Sequence, residues 1–274
     1  MSYSTPTYIT TANEVPSYYK RLSICIKPNG FSFSRMTVQG TLLTYADVEM
    51  DFSLSMSELT RVLKEFFAES HISPFDFEDM RLVIPADYVV WIPKDLFVAE
   101  QERTYLESTF DLPEGVACFS TLVKEADAYC VFAANSNVVT AFRIVLPGIE
   151  LACQHSVLCP SALNASGASP VMILYQRDGR CDFVVCRNNE LLLSNSYPIK
   201  NDEERLFRVL EIMKNLPVES DDLTLMLCGD VNRSVYSSLK GFVPHISLFG
   251  GRPIRFINPE FRQLQTYQHV LVLS

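Results

Sequence analysis

Apolar residues follow two periods along the chain, and the switch from one to the other predicts the elements. Between Leu22 and Asp47, short apolar runs are broken by Pro28-Asn29-Gly30 and Gln39-Gly40. Asn-Gly supplies the positive φ that a two-residue hairpin turn requires, so three antiparallel strands are predicted. From Leu59 the period changes. Leu59, Val62, Leu63 and Phe66 recur at three- and four-residue steps with charged residues on the opposite face, the stripe of a helix lying on a sheet. Ser55 or Ser57 stands where it would cap that helix. Arg81 to Asp87 then carries a continuous apolar run without alternation, the pattern of a strand covered on both faces and joined to parallel neighbours through helices.

The same order returns in the second half. Val171–Ser196 superposes on Leu22–Asp47 at a constant offset, with Arg177-Asp178-Gly179 on Pro28-Asn29-Gly30, Asn188-Asn189 on Gln39-Gly40, and Leu191-Leu192 on Leu42-Leu43. Leu206, Val209, Leu210 and Met213 repeat the helical stripe, and Asp202 stands at its entrance to cap or complement the free N–H groups. Thr224–Asp230 repeats the buried strand. An order β-β-β-α-β-α therefore occurs twice, and self-similarity of this kind fixes the architecture before any motif does. The first copy has grown by insertion. Tyr88–Lys94 reads as an extra strand, about Ala99 to Phe110 as a helix, and Ala117–Ala134 as two strands. Ser136–Val145 follows as a helix, Ile149–His155 as a strand and Val157–Asn164 as a helix. The small polar stretch Ala165-Ser166-Gly167-Ala168-Ser169 marks a boundary. The expected organisation is an N-terminal extension over 1–20, a first lobe with its insertion over 21–165, and a second lobe over 166–274 that ends in a tail from Pro253 to Ser274.

Composition narrows the class of partner. With 274 residues, 48% apolar and 20% charged, the chain is long enough for a sizeable core and far from the make-up of a disordered segment. A net charge of -9 and no clustered Lys/Arg oppose a phosphate backbone or an anionic membrane surface, so no nucleic acid and no membrane insertion are expected. The longest apolar runs, such as Tyr129–Ala134 and Val270–Leu273, are far shorter than the ~20 residues of a membrane-crossing helix. Met1–Thr11 is hydroxyl-rich and has no apolar signal-like stretch, which makes the cytoplasm the expected compartment. The eight cysteines mostly fall inside strand-like apolar runs and read as reduced, buried thiols.

Two copies of a three-strand meander, a helix, a parallel strand and another helix resemble the actin-like ATPase superfamily, a ribonuclease H-like fold that binds ATP between two lobes. More narrowly, the chain resembles an uncharacterised bacterial family of unknown function grouped with that fold, and it is similar in plan to the actin-like assembly proteins of pilus and secretion systems. The fold class implied is α/β with mixed (α+β) sheets, a duplicated ribonuclease H-like plan. The resemblance implies that the first hairpin of each lobe faces the phosphates, with a strand-end Asp holding metal and water and Gly-rich N–H groups beside it. It points to Asn29, Gly30, Asp178, Gly179, Gly229 and Asp230 as the residues of an interlobe cleft. The sequence departs from the pattern at each place. Ile26-Lys27-Pro28-Asn29-Gly30-Phe31 has the turn glycine but no carboxylate, and Pro28 removes a donor. Asp178 lies in the turn rather than at the strand end. Cys228-Gly229-Asp230 keeps one glycine of the usual adenosine-side pair. The expectation is a module without catalysis or cofactor that acts through an unknown protein partner. An ATP-binding switch or small-molecule kinase using Asp178, Asp230 and Mg²⁺ is the alternative.

Other chemistry is weaker. Cys153-Gln154-His155 with Cys159 suggests zinc, yet no second pair completes four ligands, and core thiols are the better reading. No nucleophile elbow positions a cysteine against His71, His155, His245 or His269. Glu203-Glu204 and Asp221-Asp222 fit helix-start and solvated roles. Gly250-Gly251-Arg252 reads as a turn whose N–H groups could also cradle an anion, and Trp91 suits core and partner surface equally.

Overall fold

The computed structural model describes residues 3, 7–10 (backbone), 21–37, 39–216, 218–256 and 259–274, so most of the extension expected over 1–20 lies outside the described residues. A short strand β1 (Thr7–Thr10) precedes the meander β2 (Arg21–Lys27), β3 (Gly30–Met36) and β4 (Thr41–Glu49), which leads to helix α1 (Met56–Glu69) and strand β5 (Asp79–Val83). The insertion follows as β6 (Val89–Pro93), α2 (Glu102–Glu107), β7 (Val116–Val123) and β8 (Ala128–Asn135). Helix α3 (Ser136–Val145), strand β9 (Glu150–Ala152) and helix α4 (Gln154–Ala165) complete the first half. The second half runs β10 (Val171–Arg177), β11 (Arg180–Arg187), β12 (Glu190–Pro198), α5 (Asp202–Asn215), β13 (Thr224–Gly229), α6 (Arg233–Lys240) and β14 (His245–Leu248). It ends in β15 (Arg255–Phe256) and α7 (Val270–Leu273).

The strands form two mixed sheets of matching plan and a small third one. In the first, β4, β3, β2, β5 and β9 lie side by side, with β2, β5 and β9 parallel. In the second, β12, β11, β10, β13 and β14 repeat that order, with β10, β13 and β14 parallel. Each copy therefore has a fifth strand: β9, read from sequence as part of the connection, is the counterpart of β14. The insertion strands pair separately in the order β6-β8-β7.

The repeat is real, but its register changes partway through. Lys27 pairs with Gly30 and Arg177 with Arg180, so the turn residues are Pro28-Asn29 and Asp178-Gly179. Gly30 therefore corresponds to Arg180, and Asn29 to Gly179, one residue away from the constant offset expected. Both copies also carry a bulge at the same place, Arg35/Met36 and Val185/Cys186. Gly30 is glycine for its own reason. It begins β3 at φ +142°, and a Cβ there would lie 1.9 Å from the Val48 carbonyl oxygen.

Helix α1 buries the face its stripe demands, and α5 and α4 depart from expectation. Ser55 caps α1 in a reciprocal capping box with Glu58, and Leu59, Val62, Leu63, Phe66 and Phe67 are buried. On α5 the cap is Asn201, whose side chain accepts from the Glu204 N–H. Asp202, expected to cap or complement the free N–H groups, lies in the first turn as an acidic residue, where it receives hydrogen bonds from Arg205 and Ser234. The buried side of α5 is Arg205, Val209, Ile212 and Met213, while Leu210 and Phe207 remain 37% and 59% exposed. His155 also moves: the chain leaves β9 at Ala152, and Cys153 caps a helix that carries His155 in its first turn. That helix, α4, is buried on nearly every side because it lies against β7 of the insertion sheet and against the second sheet.

One core runs through both halves. Phe31, Phe33, Phe66 and Phe142 pack edge-on or tilted beneath the first sheet, and the same cluster includes Val171, Ile173, Val184 and Cys186 of the second. The tail does not stay with the second sheet. β15 pairs with β4, and Val270–Leu273 is almost wholly buried against β2 and β3, where Val272 O accepts from Ser34 Oγ at 2.6 Å. Trp91 packs half-buried against this core. All eight cysteines are free and all but Cys118 are buried.

Candidate functional site

The first hairpin of each copy points into a cleft of about 830 Å³ between the lobes. Lys27 to Gly30 form one lip, and Tyr175, Arg177 and Asp178 the other. Asp47 and Glu49 on β4, Asp230 after β13, and His269 with Leu271 of the tail close the walls. Among the residues singled out from sequence, Asn29, Gly30, Asp178 and Asp230 thus line one cavity. Gly179 sits in its turn at φ +62° with open space around it and does not line the cleft. Gly229 acts behind the wall. At φ +82° its missing Cβ lets β13 approach to where that atom would be 2.0 Å from the Gln176 carbonyl oxygen, and Asp230 N then donates to the same carbonyl at 2.8 Å.

Charge decides what this cavity suits. Lys27 is ion-paired with Asp47, which also accepts from Tyr45 Oη at 2.8 Å; His269 Nδ1 lies 2.8 Å from the same hydroxyl. Because the hydroxyl donates to Asp47, Nδ1 must be the donor to it, which fixes the neutral tautomer. Burial, with the Lys27 charge adding to it, pushes the His269 imidazole down to about 4. Burial, and secondarily the Asp47 charge, drives the Tyr45 phenol upward. The other cation is committed as well. Arg177 Nε donates to Asp182 at 2.8 Å and its Nη2 to Asp87 at 2.5 Å, and Asp87 also pairs with Arg180 at 3.1 Å. Asp87 follows β5 of the first lobe, so these bonds cross between lobes. Asp178 and Asp230 are left facing the cavity. Burial raises the Asp230 carboxyl; Lys27 opposes that and Asp178 adds to it.

Behind Arg177 lies a buried polar set that the sequence did not reveal. His155 Nδ1 is 2.8 Å from Ser194 Oγ, and His155 Nε2 is 3.6 Å from Asp182 Oδ1. Burial alone would raise the Asp182 carboxyl, but the neighbouring His155 ring and the charge and hydrogen bonds of Arg177 hold it well below the usual carboxylate range. Serine, histidine and aspartate in line suggest a hydrolase, yet the chemistry needs a cavity beside the serine and donors for an oxyanion. The interlobe cleft reaches neither Ser194 nor His155, and Asp182 is already bonded to Arg177 and Ser196. The set is a fastening between α4 and the second sheet. Cys153 lies 3.4 Å from Cys130, sulfur to sulfur, and among the described residues no group of three or more His, Cys, Asp or Glu is placed to hold a metal ion.

Of the residues that shape the cleft, Lys27 and Arg177 stood beside the turns quoted from sequence and carried a signal, being cations at repeated strand ends. His269 carried none, because its place depends on the tail crossing to the first lobe. No helix is long and apolar enough to cross a membrane among the described residues. No curated protein matches the chain. Solved structures share its architecture, among them the following two. A Bacteroides thetaiotaomicron protein with an actin-like ATPase fold and unknown function is 24% identical, with 85% of this chain and 91% of that one covered at a TM-score of 0.71. The PilM–PilN type IV pilus biogenesis complex contains a chain 14% identical, with 94% and 97% covered at a TM-score of 0.55. The protein has the actin-like ATPase fold, and its residues 10–246 match a family described as a protein of unknown function, so the chain belongs to DUF3822.

Proposed function

We propose that this protein is a non-catalytic actin-like module of the cytoplasm, acting through contacts with a protein partner and taking no nucleotide. The observation that carries the reading is that both cations of the cleft are neutralised inside the fold, Lys27 by Asp47 and Arg177 by Asp182 and Asp87, while Asp178 and Asp230 face the cavity. A triphosphate entering there would meet carboxylates, and Pro28 offers no N–H at the first turn. Partner binding is supported by the similarity in fold to a chain of the PilM–PilN complex and by the exposed Phe207 and Leu210 on α5.

One observation favours the second reading, an ATP-dependent switch: Asp178 and Asp230 line the same cleft, and its volume has room for phosphates and a magnesium ion. Thermal-shift titration with Mg-ATP and Mg-ADP separates the two. The module reading expects no shift at millimolar nucleotide. A shift of several degrees, with phosphate release abolished by Asp178→Asn, would replace it with the switch.

A further inference from the structure

A second cavity, of about 680 Å³, opens at the other end of β2. Arg21 begins that strand and lines this cavity, whereas Lys27 ends it in the interlobe cleft, six residue steps or ~20 Å away along a strand. In a protein of net charge -9, this cavity gathers guanidinium groups. Arg21, Arg252 and Arg255 line it, against Glu78 and Asp79. Only one of the three arginines is neutralised in place: Arg21 Nε bonds to Asp79 at 2.7 Å, while Arg252 and Arg255 have no ion-pair partner among the described residues.

Arg81 stands behind the wall, with Nη2 donating to the Ser274 backbone oxygen and its buried Nε lacking an acceptor. Burial, then repulsion from Arg21 with a contribution from Arg252, brings the Arg81 guanidinium down to about 10. Positive charge gathered on one wall, with Arg81 behind it, favours an anion in the cavity. The backbone supports the arrangement. Arg255 N donates to Gly40 O at 3.1 Å, and β15 pairs with β4, which holds the arginine-bearing segment over the end of the first sheet. Met36, Ile254 and Leu273 give the cavity an apolar side. Guanidinium forks beside an apolar wall suit a small organic molecule bearing a planar or tetrahedral oxyanion.

We propose that this cavity binds a small multivalent oxyanion, gripped by Arg252 and Arg255 with Arg21 beside them. The Gly250-Gly251-Arg252 turn then has a role beyond reversing the chain, since it delivers the Arg252 side chain to the site.

Isothermal titration of the whole chain with inorganic pyrophosphate and, separately, citrate tests this. Saturable binding of either probe is expected. Pyrophosphate alone would assign a phosphoryl ligand and citrate alone a carboxylate one. Arg252→Ala and Arg255→Ala replace exposed side chains and leave the core untouched, and each is expected to weaken binding roughly tenfold, as losing a charge-assisted bond does. Lys27→Ala, in the interlobe cleft, should leave that binding unchanged. No saturable binding of either probe overturns the proposal, and so does binding that survives the double Arg252/Arg255 variant or is lost with Lys27→Ala.

Discussion

Protonation of His269 should loosen the tail from the first lobe. The ring sits half-buried at the start of α7, its Nδ1 2.8 Å from the Tyr45 hydroxyl and its centroid 4.8 Å from that ring. In the unfolded chain the imidazole titrates near 6.5, and in the fold it is pushed down to about 4. Because the folded affinity for the proton is the lower one, the unfolded state takes up the proton first. Stability is therefore unaffected above pH 6.5, falls as pH drops from 6.5 towards 4, and loses nothing more from this group below that. Each tenfold difference in proton affinity is worth about 1.4 kcal/mol, so the full loss is about 3 kcal/mol, trimmed towards about 2 by solvent over the open side of the ring. Urea unfolding of the native chain and of His269→Asn, at steps from pH 7.5 to pH 4, isolates the group, since asparagine keeps a donor for Tyr45 without titrating. The stability gap between the two should shift by that amount in favour of the variant as pH falls. Curves that run parallel through the window would refute the reasoning, as would a native chain that gains on its variant.

Other substitutions probe the rest of the structure. Gly30→Ala should destabilise by on the order of 3 kcal/mol, because its Cβ would meet the Val48 carbonyl oxygen at 1.9 Å, whereas Gly179→Ala, with open space around it, should cost about 1 kcal/mol in the same urea assay. Equal losses would contradict the shifted register. Arg177→Ala should cost about 3–5 kcal/mol by leaving Asp182 buried without its cation, and Asp182→Asn in the same chain should recover part of that; a double-mutant cycle with no coupling would show that the pair does not act as one unit. Phe142→Ala, fully buried among Phe31, Phe52 and Phe67, should cost about 3–5 kcal/mol by thermal or chemical melting.

The duplication was legible because local chemistry writes it twice. Turn residues, the stripe on α1 and the apolar run of β5 are short-range signals, and each recurs at nearly equal spacing. What failed were long-range or one-residue matters. Aligning Gly30 with Gly179 treats both as turn glycines, but Gly30 answers to the carbonyl of Val48 on another strand, which no local pattern announces. Leu210 belongs to the predicted stripe yet lies partly open, while Arg205 is buried because Gln176 Oε1 and Asp202 satisfy its guanidinium. His155 looked like a strand residue because Ile149, Leu151 and Ala152 before it are apolar; the helix begins there, where Ser156 Oγ accepts from the Cys153 N–H at 3.0 Å. The cleft residues near the turns were within reach, and those supplied by the tail were not.

The repeat also explains how the two lobes are held to each other. By the observed pairing, Lys27 and Arg177 are equivalent residues, each the last of its strand before the first turn. Both copies therefore place a cation at that strand end. Each cation is then taken up by a carboxylate of its own lobe, Asp47 on β4 and Asp182 on β11. Arg177 reaches further, to Asp87 in the first lobe, where Arg180 joins it, and the tail packs Val270–Leu273 back beneath β2 and β3. Ion pairs and a buried apolar turn thus span the lobes on either side of the cleft. These contacts are made by the chain's own side chains, so the walls of the cleft are braced from both lobes.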